Sequence, residues 1–111
     1  DFVGESNILH GTVSAPGLVA LPDGRKLMVD SEAAPGAKVG LLMRPERFSG
    51  GGLNEFSGEI VEAVYLGTSF KLRIACEGGP ELLVRQPARG TLPAAGTKIT
   101  VGIDPEAIHV F

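Results

Sequence analysis

The chain says one thing twice. Residues 36–48 read GAKVGLLMRPERF and residues 96–108 read GTKITVGIDPEAI, so Gly36, Lys38, Val39, Leu41, Met43, Pro45 and Glu46 align with Gly96, Lys98, Ile99, Val101, Ile103, Pro105 and Glu106. The match extends backwards. Gly11-Thr12-Val13 answers to Gly58-Glu59-Ile60, Val19 and Leu21 to Leu72 and Ile74, and Gly24, Leu27 and Val29 to Gly79, Leu82 and Val84. On this alignment the second half is 13 residues longer, the extra residues falling before Leu72, in its hairpin turn, and between Val84 and Gly96. Half-units this small cannot bury both faces of a sheet alone, so the two are expected to share one core.

The period of the pattern is that of strands. FKLRIA (70–75) sends Phe70, Leu72 and Ile74 to one face and Lys71 and Arg73 to the other, and RKLMVD (25–30), KVGLLM (38–43) and KITVGI (98–103) alternate likewise. LPDGRKL (21–27) and CEGGPELLV (76–84) each place turn residues between two such runs and read as hairpins. EIVEAVYL (59–66) is β-branched and flanked by glycine, which favours strand over helix. Pro45 and Pro105 are expected to end their strands, because proline cannot donate to a ladder. The predicted fold is all-β, a small OB-fold-like barrel of two pseudo-repeated units. The chain is read as a single domain over 1–111, with a first half-repeat at 11–48, a mobile glycine-rich linker at 49–57 and a second half-repeat at 58–108. Val39, Leu41, Val101 and Ile103 are expected to be buried.

Composition narrows the function. The net charge is −3, the ten basic residues are scattered, Trp is absent and Tyr occurs once, at Tyr65. An oligonucleotide-binding surface needs a basic stripe with stacking aromatics, so this balance argues against nucleic acid. The single cysteine, Cys76, excludes an internal disulfide and suits a reducing compartment. No stretch approaches the length of a transmembrane helix. The chain opens on Asp1-Phe2-Val3 without an initiator methionine, as a piece of a longer polypeptide would.

Chemistry-bearing motifs are sparse. The phosphate cradles GxxxxGK[ST] and GxGxxG are absent, no paired Cys or His-x-x-x-His offers a zinc site, and no serine stands in a nucleophile elbow. No catalytic, cofactor or metal residue is assigned. Two groups remain as candidate contacts. Arg44 and Arg47 flank Pro45-Glu46 and could hold an anion or a partner's carboxylate, the alternative being a local salt bridge to Glu46 or Glu55. Glu46 itself, like Glu106, also reads as a turn residue. Thr68, Ser69 and Lys71 follow Tyr-Leu-Gly and could form a ligand loop, or be solvent-facing strand residues.

Four segments in order, DFVGESNILHGTV (1–13), LMRPERF (42–48), GEIVEAVYLGTSFKLRI (58–74) and GTKITVGIDPEAIHVF (96–111), resemble the transport-associated oligonucleotide-binding-fold (TOBE) domain. That domain lies at the C-terminus of ATP-binding subunits of bacterial ABC importers, and the resemblance is to the spermidine/putrescine branch. It implies a non-catalytic regulatory and dimerising module. The nucleotide-binding domain, with its ATP and Mg, is then expected upstream. The implied partners are that ATPase domain, a second copy of the subunit, a membrane permease reached indirectly and a small-molecule effector, with the assembly at the cytoplasmic face of the membrane. Two other readings stand beside it: a stand-alone small-ligand (oxyanion) sensor, and an oligonucleotide-binding domain.

Overall fold

The computed structural model describes residues 5–111; Asp1–Gly4 of the opening motif lie outside the described residues. Nine strands follow in order: β1 (Asn7–Ala15), β2 (Leu18–Ala20), β3 (Lys26–Met28), β4 (Lys38–Met43), β5 (Asn54–Tyr65), β6 (Ser69–Cys76), β7 (Glu81–Pro87), β8 (Lys98–Ile103) and β9 (Ile108–Val110). They form two curled antiparallel sheets, ordered β3-β2-β1-β4-β9 and β7-β6-β5-β8. The first four strands of one sheet and the four of the other have the same connectivity, so the sequence repeat is a structural repeat: β1–β4 and β5–β8 are one unit built twice.

Registers refine the alignment. Val13 pairs with Val19 and Ile60 with Ile74, each followed by a bulge, and Leu27 and Leu82 face Val19 and Ile74 across the next strand. Val19 therefore corresponds to Ile74, not Leu72. The two hairpin turns are equal in length, and the extra residues fall in two places rather than three. Eight lengthen the β5–β6 hairpin and five lengthen the β7–β8 connection. Alternation of short apolar runs left the register free by two residues, and only the bulge opposite each hairpin removes the ambiguity. Gly11 and Gly58 are equivalent and both required: a Cβ on either would collide with the backbone carbonyl of Ala20 or Ala75 in the neighbouring strand.

Both units feed one core. Val13, Val19, Leu27, Leu41 and Met43 from the first pack in the same cluster as Ile60, Ile74, Leu82, Val101 and Ile103 from the second, with Phe48 and Phe56 in edge contact between them. Val39, Leu41, Val101 and Ile103 are all buried, as the alternation predicts. Pro45 and Pro105 each open a short 3₁₀ turn, where a missing N–H costs nothing.

Past those turns the chain changes sheets. In the first unit Ser49 exchanges both backbone hydrogen bonds with Gly102 of β8, at 2.9 and 2.8 Å. In the second, β9 lies along β4, with His109 opposite Leu42. By the repeat, Ser49 is the counterpart of His109 and Gly102 of Leu42, so each unit's tail closes the other unit's sheet. The segment read as a mobile linker is thus tied down at Ser49, and its last four residues, Asn54–Ser57, belong to β5.

Among the described residues, the only buried polar side chains are Asn7 and Asn54, which open β1 and β5 and are 7% and 3% exposed. Asn7 Nδ2 donates to the Leu83 carbonyl (2.8 Å) and the Met43 carbonyl (3.1 Å), while its Oδ1 accepts from Leu83 N (2.7 Å). Asn54 repeats the arrangement on Met28 (2.8 and 2.8 Å) and Ile103 (3.1 Å). A carboxamide offers one donor edge and one acceptor, as a peptide group does, so each Asn acts as one extra rung for the edge strand of the opposite sheet.

We predict that Asn54→Ala and Asn7→Ala each lower the unfolding free energy by about 1–3 kcal/mol, the cost of orphaning buried donors and acceptors. Urea titration checks this, and a loss below about 0.5 kcal/mol would remove the clamps from the account. Ile103→Ala, at a site 1% exposed, is expected to cost about 2–5 kcal/mol in the same assay.

Candidate functional site

The Arg-Pro-Glu-Arg segment places its two guanidiniums together. Arg44 caps the 3₁₀ turn and Arg47 follows three residues later, its N–H bonded to the Arg44 carbonyl at 3.0 Å. They line an open polar groove of about 750 Å³ with Asp30, Ser31, Glu106 and His109. The groove thus draws on the segment after β3, the first Pro-Glu turn, the second Pro-Glu turn and β9.

Neither alternative salt bridge forms. Among the described residues Arg44 and Arg47 pair with no carboxylate; Arg44 Nη1 has only a long contact of 3.4 Å to Ser6 Oγ. Glu46 is exposed and does not line the groove, whereas its repeat counterpart Glu106 does. The second candidate group lies apart on the β5–β6 hairpin. The Ser69 carbonyl accepts from Leu66 N (2.8 Å) and closes the turn, while the Thr68 carbonyl accepts from Ala88 N (3.0 Å) and extends the β6–β7 pairing. Lys71 turns to Glu5 at 2.8 Å, and Arg85 approaches the other oxygen of the same carboxylate at 3.2 Å. None of Thr68, Ser69 and Lys71 lines the arginine groove.

The sequence places Glu106 in a Pro-Glu turn as the counterpart of Glu46, and ties neither it nor His109 to the arginines. Their signal was the repeat itself: extending the 60-residue offset one strand further carries Ser49 onto His109 and marks both as crossing segments. Cys76 is buried and its thiol is pushed up by that burial, with Arg25 pulling the other way. Among the described residues no group of three His, Cys, Asp or Glu is placed to hold a metal ion. Among the described residues the two guanidiniums form no ion pair, and they share the groove with the carboxylates of Asp30 and Glu106; guanidiniums so placed suit a carboxylate, a phosphate or another oxyanion-bearing surface.

Comparison with known proteins adds the following. The model of the TOBE domain family matches residues 41–111. The spermidine/putrescine import ATP-binding protein PotA of Acetivibrio thermocellus is 26% identical over 113 residues, covering 100% of this chain and 31% of that protein. PotA of Ruegeria pomeroyi is 29% identical over 120 residues, covering 100% and 33%. This chain therefore spans about a third of the length of the curated relatives it matches. The cytoplasmic molybdate-binding protein ModG, solved with molybdate bound, superposes with a TM-score of 0.81 over 99% of this chain and 98% of that one, at 16% identity; at that identity the likeness is one of fold.

The Glu5 cluster yields a pH prediction. The hydrogen bond from Lys71 holds the Glu5 carboxyl below its ordinary value; partial burial opposes this, and the charges of Lys71 and Arg85 add to it. A carboxylate whose folded pKa is depressed stabilises the fold above its unfolded pKa, and that contribution is lost as pH falls through the folded value. We predict that Glu5→Gln narrows the stability difference between neutral and acid pH. NMR titration of Glu5 is expected to shift upward in Lys71→Met. An unshifted titration would show that the pair does not persist in solution.

Proposed function

Since the chain belongs to the TOBE domain family, we propose that it is the regulatory and dimerisation module at the C-terminus of an ATP-binding subunit of an ABC-type importer for a polyamine or a related small solute. It is non-catalytic in itself. ATP and Mg belong on a nucleotide-binding domain upstream. The module works at the cytoplasmic face of the membrane against that domain and a second copy of the subunit, and reaches the permease through them. Full-length coverage by two importer ATP-binding proteins supports the reading.

The observation that carries it is the asymmetry between the two Pro-Glu turns. The fold needs both turns in the same place, yet only the first is flanked by Arg44 and Arg47; the second has Asp104 and Ala107. Two guanidiniums without a carboxylate partner among the described residues, over an open groove, are not needed to close a barrel. They fit a surface that meets a partner's carboxylates, on the ATPase domain or the twin subunit.

A second reading is favoured by the same groove: a small oxyanion effector held between Arg44 and Arg47, on a fold that the molybdate-binding ModG shares. Calorimetry with molybdate and phosphate separates it from the first reading, because a contact surface for a protein gives no saturable heat with either. Nucleic acid fits less well, given the charge of −3.

In the full-length subunit, Arg44→Ala is predicted to weaken dimerisation or the coupling of ATP hydrolysis to transport, with the fold intact. Asp104→Ala is predicted to change neither. Dimer affinity and transport-coupled ATPase in reconstituted membranes measure both, and wild-type behaviour of Arg44→Ala in the two assays would sink the proposal.

A further inference from the structure

The β2–β3 and β6–β7 hairpin turns are built alike and carry different side chains. In the first, Leu21 N–H donates to the Arg25 carbonyl (2.7 Å) and Gly24 N–H to the Leu21 carbonyl (2.9 Å). In the second, Cys76 N–H donates to the Pro80 carbonyl (3.0 Å) and Gly79 N–H to the Cys76 carbonyl (3.2 Å). Arg25 and Pro80 are thus counterparts, as are Asp23 and Gly78. On the strands beside the turns, Leu9 of β1 answers to Phe56 of β5, and His10 to Ser57, counting from the two buried asparagines.

Each turn reaches over the other unit. Arg25 leaves the first turn and lays its guanidinium over the Phe56 ring, 5.0 Å from the centroid, with Nη2 3.4 Å from the Glu77 carbonyl. At the equivalent place the second turn brings Pro80 to Leu9. Both side chains are smaller than their counterparts, and between them lies an open cleft of about 420 Å³. A second difference widens it. Glu77 N–H ties the second turn to the Ser57 carbonyl at 3.0 Å. The counterpart of Glu77 is Pro22, which has no N–H to give. Gly40 exchanges both of its backbone bonds with Phe111, so the peptide groups of His10 opposite it point away from β4. The His10 carbonyl therefore lacks the bond that the Ser57 carbonyl makes.

The lining matches the parts of an arginine side chain. Leu9, Leu21, Pro22 and Pro80 suit an aliphatic stem. Asp23 supplies a carboxylate, and neither lysine nor arginine lines the cleft. Asp23 Oδ1 accepts from Arg25 N–H at 2.9 Å, and among the described residues the carboxylate forms no ion pair. We propose that this cleft is a binding site for a small alkylguanidinium, an aliphatic chain of a few carbons ending in a planar cation, seated as Arg25 is seated in the other unit. Its N–H groups reach the Asp23 carboxylate and the His10 carbonyl, and its chain covers Leu9 and the two prolines. The volume is that of a small-ligand pocket. No residue lines both this cleft and the arginine groove, and the two select opposite charges.

The test is an amide NMR titration of the 111-residue chain with butylguanidinium, and with butylurea as its uncharged counterpart. Butylguanidinium is expected to shift the amides of Leu9, His10, Asp23 and Gly79 saturably, with a Kd of about 1 mM or tighter. Butylurea is expected to bind at least about tenfold more weakly. Asp23→Asn keeps an oxygen for Arg25 N–H and removes the charge; it is expected to weaken butylguanidinium binding about tenfold, with the rest of the spectrum unchanged. Glu32→Gln, at an exposed carboxylate outside the cleft, is expected to bind as wild type does. Pro80→Arg places an arginine where the first turn has one, and is expected to abolish saturable binding by filling the cleft itself. Absence of saturable shifts at these amides up to about 10 mM, equal affinity for butylurea, or equal affinity in Asp23→Asn overturns the inference. So does an equal loss in Glu32→Gln, which would make the attraction one of overall charge. Neither the molybdate and phosphate calorimetry nor the Arg44→Ala assay reads this cleft, so it stands or falls separately from the groove.

Discussion

Two buried asparagines hold this molecule to its design. A strand at the edge of a sheet presents a row of peptide groups that must be paired or wetted, and β3 and β7 are such edges. Asn54, from the second unit, supplies the missing donor and acceptor to Met28 on β3. Asn7, from the first, does the same for Leu83 on β7. Each amide also bonds its own unit's closing strand, at Ile103 or Met43. The satisfied carboxamide therefore joins three strands across two sheets. It stands in an otherwise apolar interior, where leaving it unpaired would be costly.

The same reciprocity governs the ends of the units. After each Pro-Glu turn the chain crosses to the opposite sheet, as Ser49 onto β8 and as β9 onto β4. Clamp and crossing act in the same direction: each unit is completed by the other. This is why the core forms one cluster, and why a unit of about fifty residues need not be stable by itself.

Against that symmetric background, what is not repeated stands out. The arginines beside the first turn, the eight-residue extension of the β5–β6 hairpin and the five-residue lengthening before β8 each break the two-fold pattern. The β6 arm of the extension still feeds the core through Phe70 and Leu72, whereas the side chains of Arg44 and Arg47 are exposed and add nothing to it. Function carried on loops and turns of a rigid scaffold is placed in this way, because changes there leave the packed interior undisturbed.

Much was legible in the chain alone. Strand period at 25–30, 38–43, 70–75 and 98–103, turn chemistry at Pro22-Asp23-Gly24 and at Gly78-Gly79, and the burial of Leu41 and Ile103 follow from side-chain alternation and from which residues tolerate a tight turn; these are local properties, encoded within a few residues. Proximity in space was not legible. Alternation repeats every two residues, so it could not distinguish Val19–Leu72 from Val19–Ile74 until the bulges set the register. Asn54 reads as a loop residue until its amide is seen against Met28, and nothing near Arg44 in sequence announces His109 and Glu106 across the groove. The sequence by itself determined the repeat, the strands and the core faces, since each is a matter of spacing along the chain. Which unit completes which, and which side chains pair among the described residues, was decided by the tertiary structure, because hydrogen bonds and ion pairs depend on distances between residues up to 80 positions apart.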